Sequence, residues 1–301
     1  MKIKCIINEA SGRGRNRDLI ARLKAKFVGH EVDYVRTARA GHAVEIASHA
    51  VEDRFDIIVA VGGDGTINEV INGVVPSPIP VGIIPTGTAN DLAEYMKIPA
   101  DVEKACDIIL RGNTCAIDSI CVNGWHFITV GGLGLPADAV KNATLCTNKL
   151  RFLRRLLKVV GNRIYVLGLI VAFIRSIGRS NSTRISCNCY SLNHKIHSLI
   201  VANQPALGRR FRVCPEAVNN DGYFDLFLIE DGRGLREYAR AVAGTISARH
   251  VNMPNVRMHR TSMATIVTDR RLCFFGDGNI GCEGSNFDIS IHPKAVRLLT
   301  P

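Results

Sequence analysis

A single carboxylate stands among glycines in the stretch VGGDGTINEV, residues 61–70. An apolar run leads into this stretch, and Asn68 and Glu69 follow Asp64 as in the first turns of a helix. Glycines at a strand-to-helix turn let main-chain N–H groups approach phosphate oxygens, and a helix N-terminus adds partial positive charge. A carboxylate there would repel phosphate unless it serves a metal ion or takes a proton from an attacking hydroxyl. The stretch therefore predicts a nucleoside triphosphate site with a catalytic or magnesium-linked Asp64. The alternative is a tight turn in which Asp64 caps the helix.

Two further polar, glycine-bearing loops follow predicted strands. The first, NEASGRG at residues 8–14, precedes a basic helix and lacks the GKS or GKT of a Walker loop. The second, IPTGTANDLA at residues 84–93, places Gly87, Thr88 and Asn90 just before a helix. Because the carboxyl ends of parallel strands share one edge of a sheet, the three loops are expected to converge there and bind phosphate.

The scaffold for these loops is predicted in residues 1–122, where strands and helices alternate. The strands are KIKCIIN, EVDYVRT, DIIVAVGG, PVGIIP and TCAIDSICV. Strands alternating with crossover helices predict an α/β domain with a parallel sheet that is covered on both faces. From about residue 123 the pattern changes to antiparallel strands, with a mostly helical insertion at about 146–178. The sequence therefore predicts two domains, 1–122 and 123–292.

The composition favours a globular, cytosolic protein. Hydrophobic residues make up 47% of the chain, which excludes a disordered protein. Ten cysteines without a CxxC pair favour buried reduced thiols over a zinc site or a disulfide framework. The longest uncharged apolar run, residues 164–174, would cover about 16 Å as a helix, which is half of a bilayer core. The N-terminal apolar run is too short for a signal peptide. We therefore expect no membrane-spanning segment.

Positive charge is concentrated in the segment 139–215, which carries 14 Lys and Arg and no Asp or Glu. The formal charge of the whole chain is +11, so the remainder of the chain is slightly acidic. Such segregation indicates a polyanionic partner, and the alternative is a solvated basic face. KLRFLRRLLK, residues 149–158, predicts a basic amphipathic helix suited to an anionic membrane surface. Nucleic acid is not predicted as a partner, because few aromatic residues stand among the basic ones.

Several stretches together resemble the diacylglycerol kinase catalytic family, which includes sphingosine kinases and soluble bacterial lipid kinases. They are NEASG (with Glu9 in place of the family's proline), GGDGTINEV, GIIPTGTANDLA, IDSICVNGWHFITVGGLG, IVANQPALGRRFRVCPEAVNNDGYFDLFLIED and IHPKAVRLLTP. The resemblance covers essentially the whole chain. It implies a phosphofructokinase/NAD-kinase-like α/β domain with a parallel sheet, followed by a mainly antiparallel β domain. It also implies that the C-terminal strand, residues 293–301, returns to the first domain.

The resemblance implies ATP and Mg²⁺ as cofactors. The residues it places at ATP are Asn8, Glu9, Ala10, Ser11, Gly12, Thr37, Gly63, Asp64, Gly65, Thr66, Ile67, Asn68, Glu69 and Thr88. It places Mg²⁺ at the Asp221 carboxylate and the main-chain carbonyls of Val218 and Tyr223. Asp91 and Asp118 would join an acidic network around the cleft. Without the resemblance, NNDGYF would be interpreted as a polar hairpin turn.

The sequence departs from the family at the expected general base. The family ends its site with Asp-Gly-Glu, whereas this chain has Asp277, Gly278 and then Asn279. A neutral amide cannot accept a proton from a lipid hydroxyl. Three hypotheses stay open: Glu283 replaces the base, Asp64 or Asp277 serves instead, or the protein binds nucleotide without efficient transfer.

The sequence as a whole predicts an ATP- and Mg²⁺-dependent lipid kinase, cytoplasmic and peripheral to the inner face of an anionic membrane. The alternatives are a non-catalytic relative that binds nucleotide or lipid, and an NAD kinase-like or sugar-phosphate kinase that shares the GGDGT turn. The glycine-rich second motif expected of an NAD kinase is absent from the sequence. Diacylglycerol, a long-chain base, a glycerophospholipid headgroup and a polyprenol all stay open as the acceptor. The sequence does not determine the oligomeric state, and a homodimer stays open.

Overall fold

The computed structural model of the 301-residue chain describes residues 1–11, 18–141, 181–187, 190–208, 211–230 and 235–301. Three predictions fall wholly or largely outside the described residues. They concern Gly12 in the first loop, the helical insertion at about 146–178 and most of the basic segment 139–215.

The first third of the chain alternates strands and helices as its periodicity predicts. Its elements are β1 (Lys2–Ile7), α1 (Leu19–Lys26), β2 (Glu31–Arg36), α2 (His42–Glu52), β3 (Ile57–Gly62), α3 (Asp64–Val74), β4 (Val81–Pro85), α4 (Asp91–Tyr95) and α5 (Val102–Arg111). The strands β2, β1, β3 and β4 lie side by side in this order and pair in parallel. Every residue of β3 and β4 is buried, as expected for strands that are covered on both faces.

The remainder of the described chain is rich in β-strands. Its elements are β5 (Thr114–Val122), β6 (Trp125–Phe127), β7 (Val130–Gly134), β8 (Asn181–Cys187), β9 (Tyr190–Ala202), β10 (Phe224–Glu230), α6 (Leu235–Gly244), β11 (Val256–Thr261), β12 (Met263–Gly276) and β13 (Asn279–Leu299). Residues 135–141 are helical, and two short 3₁₀ turns follow α6. The neighbouring strands β7, β8, β9, β10, β11 and β12 pair antiparallel, so the prediction of a β-rich second half is confirmed.

The sheet itself differs from the separate parallel sheet predicted for residues 1–122. The thirteen strands form one continuous sheet, and most of its strand pairs are antiparallel. The predicted closing strand, β5, pairs antiparallel with β6 and with β13. The pairing of β5 with β6 has a local cause. Asn123 and Gly124 both have positive φ and form the tight turn that leads β5 directly into β6.

The long strand β13 connects the two halves of the sheet. Its first part pairs with β12, where Ser290 lies opposite Met263. Its last part pairs with β5, and Leu298 also pairs in parallel with Val81 of β4. Because of this path, Leu298 and Leu299 are buried in the same hydrophobic cluster as β1, β3 and β4.

Candidate active site

Three loops meet at the carboxyl ends of β1, β3 and β4. An ideal Cβ on Gly87 would lie only 2.5 Å from the Cα of Gly63, so the β3 and β4 loops touch main chain to main chain. An ideal Cβ on Gly63 would lie 3.3 Å from Ser11 Oγ of the β1 loop. Asn8 Nδ2 donates to Thr66 Oγ1 at 3.0 Å and ties the β1 loop to the first turn of α3. The glycines are therefore required here by the close approach of the three loops.

Asp64 joins two of these loops. It is the first residue of α3, yet its two carboxylate oxygens accept hydrogen bonds from the main-chain N–H groups of Asn90 and Asp91, at 2.8 and 2.7 Å. Asp64 thus caps α4, a different helix from the one that its local sequence suggests. A carboxylate oxygen can accept more than one hydrogen bond. The same group can therefore hold the β4 loop in place and also face a bound cation or donor.

The N-terminus of α3 supplies the positive end of a helix to this junction. Gly63 precedes the helix in an extended conformation and has no side chain to cap it. The first main-chain N–H groups of a helix have no partner within the helix, and together with the helix dipole they attract anions. The junction of the three loops therefore has the chemistry of a phosphate-binding site.

Three side chains of the predicted ATP set point away from this junction. Ile67 is 1% exposed and belongs to the hydrophobic core. Asn68 is buried and donates to His126 O at 2.9 Å. Glu69 Oε2 accepts from the main-chain N–H of Ala43 at 3.2 Å, near the start of α2. The helical period turns these three side chains toward the protein interior, and the placement of ATP along residues 63–69 stays a prediction.

The remaining predicted ATP residues lie around the β1 loop and its neighbours. Asn8 Oδ1 accepts from the main-chain N–H of Ala10 at 3.0 Å. Thr37, directly after β2, donates its N–H to Ile7 O at 2.9 Å. Glu9 forms an exposed ion pair with Arg36 at 2.7 Å. Gly65 lies in the first turn of α3, and Thr88 lies exposed in the β4 loop. These residues border the junction.

Asp277 occupies the centre of a buried polar network. Its carboxylate accepts from Asn68 Nδ2 at 2.8 Å, from the Thr129 N–H at 2.8 Å and hydroxyl, and from the Ile128 N–H at 3.1 Å. Burial raises its pKa above 3.8, and hydrogen bonds from Thr129, Asn68 and Ile128 partly offset this effect. With 5% of the residue exposed and its oxygens taken by α3 and the β6–β7 turn, Asp277 is placed to hold these elements together. This placement does not fit a base that must reach a substrate hydroxyl.

Asp277→Ala is expected to lower the free energy of unfolding by about 3 kcal/mol, because several buried donors would lose their acceptor. Urea denaturation measures this change. Asp288→Ala removes an exposed carboxylate that accepts from Thr265 Oγ1, and it should cost less than about 1 kcal/mol. Equal losses in the two variants would contradict the role given to Asp277.

The raised pKa of Asp277 also predicts a pH dependence. A carboxyl whose pKa is higher in the folded protein contributes most to stability below pH 3.8, and the contribution is lost as the pH rises through the folded value. The stability of the wild type relative to Asp277→Asn should therefore fall as the pH rises from 3.8. Thermal melts of both proteins from about pH 3 to 6 measure this difference, and a rise would contradict it.

Asn279 lies against the first turn of α3. Asp277 and Gly278, both with positive φ, form the tight turn between β12 and β13 and place Asn279 opposite Gly276. An ideal Cβ on Gly65 would lie 3.1 Å from Asn279 Nδ2, so the amide is in contact with the residue next to Asp64. The position where the family has its glutamate is therefore at the junction of loops.

Glu283 lies elsewhere on the same strand. Four residues of extended chain separate it from Asn279, which is about 13 Å. It pairs with Cys273 in β12, its side chain is 54% exposed, and Lys141 Nζ lies 3.9 Å from its Oε1. The structure does not bring Glu283 to the position of Asn279.

The predicted magnesium ligands lie in the loop before β10. Asp221 Oδ1 accepts from the Tyr223 N–H at 3.0 Å, and its Oδ2 lies 3.5 Å from the Arg260 guanidinium. Arg260 also forms a two-point ion pair with Asp225 at 3.1 and 3.0 Å. One carboxylate and two carbonyls are donors of the kind that hydrated Mg²⁺ accepts. The charge of the carboxylate is partly balanced by Arg260, and the described residues contain no cluster of three His, Cys, Asp or Glu that could hold a metal.

Asp91 and Asp118 each fix a main-chain segment. Asp118 is fully buried in β5 and accepts from the N–H groups of Gly222 and Lys294, at 2.7 and 2.8 Å. Asp91 Oδ2 accepts from the Gly208 N–H at 2.7 Å. Asp118 therefore positions the loop of Asp221.

The partners that attach α3 to β6 are not indicated by any motif in the sequence. Asn72 Oδ1 accepts from the His126 N–H at 2.9 Å, and Asn72 Nδ2 donates to His126 O at 2.8 Å. Burial and the neighbouring His292 lower the pKa of His126. The available signal was the spacing of Asn68 and Asn72, which places two amides on one helix face.

The chain matches two family models that together cover most of its length. The family model of the diacylglycerol kinase catalytic domain matches residues 2–122. The family model of the YegS C-terminal NAD kinase beta sandwich-like domain matches residues 142–300.

Individual relatives match over nearly the whole chain. A diacylglycerol kinase of Bacillus subtilis (strain 168) is 29% identical, covering 93% of this chain and 90% of its own length. A diacylglycerol kinase of Staphylococcus epidermidis is 25% identical, covering 100% of this chain and 92% of its own. The crystal structure of a diacylglycerol kinase from Bacillus anthracis str. Sterne has the same fold, with a TM-score of 0.77 and 21% identity over 100% of this chain and 97% of its own. The predicted resemblance is confirmed, and the chain belongs to the bacterial diacylglycerol kinase catalytic family, a family of lipid kinases.

Proposed function

We propose that this lipid kinase transfers the terminal phosphoryl group of ATP, in the presence of Mg²⁺, to a hydroxyl of a membrane lipid. The observation that carries the proposal is the junction of the three loops around Gly63 and Gly87, with the N-terminus of α3 and the Asp64 carboxylate beside it. Curated relatives are named diacylglycerol kinases, so diacylglycerol is the first acceptor to test.

The loops would bind ATP mainly through the main chain. Residues 8–11, 63–66 and 86–90 surround the junction, and the positive end of α3 would attract the phosphates. Asp64 positions the β4 loop through its two hydrogen bonds to α4. Mg²⁺, when bound, would neutralise phosphate charge, and a second, structural ion would be held by Asp221 with the carbonyls of Val218 and Tyr223.

Asn279 would orient the acceptor hydroxyl. Its amide lies over the first turn of α3, next to Asp64, and can form a hydrogen bond to a hydroxyl without taking its proton. Phosphoryl transfer has a loose transition state in which positioning and charge stabilisation dominate. Transfer can therefore proceed with Asn279, with the hydroxyl proton passing to solvent or to an oxygen of the transferred phosphoryl group, at a rate below that of an enzyme with a general base.

Glu283→Gln is expected to change the transfer rate by less than about threefold, because the carboxylate lies about 13 Å along β13 from Asn279. Initial rates of transfer from labelled ATP measure the effect, with Glu52→Gln at the exposed end of α2 as the control. A loss of about 100-fold in Glu283→Gln alone would establish Glu283 as the substitute base and contradict this placement.

Binding to an anionic membrane surface is proposed from the distribution of charge along the chain. The segment 139–215 carries 14 Lys and Arg, and each basic side chain near an anionic surface adds about 1 kcal/mol of attraction. In the part of the chain that the structure describes, no helix is long and apolar enough to cross a membrane. The proposed location is therefore peripheral, at the inner face of an anionic membrane, with 1–122 as the nucleotide domain and 123–292 as the lipid domain.

A non-catalytic relative that binds nucleotide is the second candidate, and Asn279 is the observation that favours it. Transfer of label from ATP to a total lipid extract in anionic vesicles, read by chromatography of the lipid phase, separates the two candidates. A labelled lipid that disappears when Mg²⁺ is chelated supports the kinase. ATP binding without any labelled lipid supports the non-catalytic relative.

A further inference from the structure

A cavity of about 200 Å³ opens at the end of β7 and beside the middle of β12. Gly134 at the end of β7, Asn181 at the start of β8 and Leu272 in β12 line it. Leu272 is four residues from the end of β12, so the cavity lies about 13 Å from the turn that carries Asn279. Glu283 lies at this end of the sheet too, beside Leu272 and Cys273. The cavity is therefore separate from the proposed nucleotide site.

Asn181 gives the cavity an acceptor that lacks a donor. The residue is 2% exposed and lines the cavity, and its Oδ1 has no hydrogen-bond partner among the residues that the structure describes. Buried polar atoms of folded proteins almost always have a partner. Asn181 Oδ1 can therefore accept a hydrogen bond from a donor in or beside the polar cavity, supplied by water or by a ligand.

Two adjacent arginines give the same cavity a positive wall. The pairing of β12 with β13 shifts register between Val267 and Leu272, and the residues between them include Arg270 and Arg271. Both arginines are exposed and line the cavity. Guanidinium groups match the geometry of phosphate oxygens and bind them through paired hydrogen bonds. This wall therefore suits a phosphate group.

Asp138 and His197 are the other polar lining residues in the described part of the chain. Asp138, like Asn181 Oδ1, accepts hydrogen bonds, so the lining combines an anion-binding wall with acceptors for O–H groups. The nearby Asp269 accepts from the Ser182 N–H at 3.0 Å and fixes the start of β8 beside the arginines. A ligand that satisfies this lining carries a phosphate and neighbouring hydroxyl donors. The volume holds the equivalent of about six or seven water molecules, which suits a small polar group better than an acyl chain.

We propose that this cavity binds a polyol phosphate group, with the phosphate at Arg270 and Arg271 and a hydroxyl donating to Asn181 Oδ1. Glycerol phosphate has this chemistry, either as a free molecule or as the headgroup of an anionic phospholipid. The site goes beyond the proposed kinase activity, since it neither overlaps the ATP loops nor requires phosphate transfer.

Calorimetric titration of the full chain with glycerol 3-phosphate tests the proposal, with inorganic phosphate as the second probe. Wild type is expected to bind glycerol 3-phosphate more tightly than phosphate, and saturating ATP should not displace it. The double variant R270Q/R271Q should weaken binding of both probes at least tenfold. The matched double variant R111Q/R297Q removes two exposed arginines elsewhere and should bind like wild type.

Asn181→Leu tests the acceptor separately. It should reduce the affinity for glycerol 3-phosphate to that for inorganic phosphate and leave phosphate binding unchanged. Thermal melts without ligand serve as the folding control, and the variant should melt no lower than wild type because an unpaired buried polar group has been removed.

Vesicles distinguish the two sources of the polyol phosphate. The protein is sedimented with phosphatidylglycerol vesicles. If R270Q/R271Q weakens this cosedimentation and R111Q/R297Q leaves it unchanged, the site binds a lipid headgroup. If glycerol 3-phosphate binds but R270Q/R271Q does not weaken cosedimentation with the vesicles, the site binds a soluble polyol phosphate. No binding of either probe, displacement by ATP, or equal losses in both double variants would overturn the proposal.

Discussion

Asp64→Ala is expected to lower the rate of phosphate transfer by about 10³-fold or more. The substitution removes the carboxylate at the N-terminus of α3 and both acceptors of the Asn90 and Asp91 N–H groups. The β4 loop would then lose its attachment to the β3 loop, and misplacing phosphate-binding groups by about 1 Å costs roughly 10²-fold in rate. Loss of the charged group itself adds a comparable factor. The measurement is the initial rate of transfer from ATP labelled in its terminal phosphate.

A matched control separates this effect from general instability. Asp101 caps α5 by accepting from the Lys104 N–H at 2.9 Å, far along the chain from the loop junction. Asp101→Ala and Asp64→Ala should each lower the free energy of unfolding by about 1–2 kcal/mol, because each removes a helix cap. Only Asp64→Ala should lose transfer. Equal rates in the two variants would contradict the role of Asp64.

Asn279→Glu is expected to raise the transfer rate by about 10- to 100-fold. The side chain of residue 279 lies against Gly65 in the first turn of α3, so a carboxylate there could take the proton of the acceptor hydroxyl. Positioned general bases contribute about 10²–10⁴-fold, and a gain at or below the lower end of this range is expected because the surrounding residues are fitted to an amide.

Asn279→Gln is the control for size, since glutamine has the same length as glutamate and cannot accept the proton. It should not exceed the wild-type rate. If Asn279→Glu clearly lowers the transfer rate and Asn279→Gln leaves it unchanged, position 279 does not lie at the acceptor hydroxyl.

The convergence of the loops could be predicted from the sequence, whereas the contacts of individual side chains could not. Each of β1, β3 and β4 ends in a glycine-bearing loop, and the topology of parallel strands brings such ends together. The hydrogen-bond partners of Asp64 depend on how closely Gly87 approaches Gly63. No local sequence pattern predicts this approach. The GGDGTINEV stretch predicts ATP along all of residues 63–69, whereas in the structure its helical part turns the side chains of Ile67 and Asn68 into the interior.

Long-range pairing was the least predictable part of the fold. The sequence predicts β5 as the last strand of a parallel sheet. In the structure, however, Ile120 of β5 pairs antiparallel with Ile291, which is distant in the sequence. Asp277 appeared in a terminal motif beside the expected base, and only the three-dimensional packing of Asn68 and Thr129 shows that its carboxylate is enclosed. The cavity near Asn181 and Arg270 likewise joins residues that no motif connects.

The most direct test of the proposed activity is transfer of label from ATP to pure diacylglycerol in vesicles that contain anionic phospholipid. The reaction contains Mg²⁺, and Asp64→Ala runs beside the wild type. Labelled phosphatidic acid formed by the wild type, and lost in the variant, is the predicted result. Bound ATP with no labelled phosphatidic acid in the wild type, also after Asn279→Glu, would contradict the assignment of this lipid kinase to diacylglycerol.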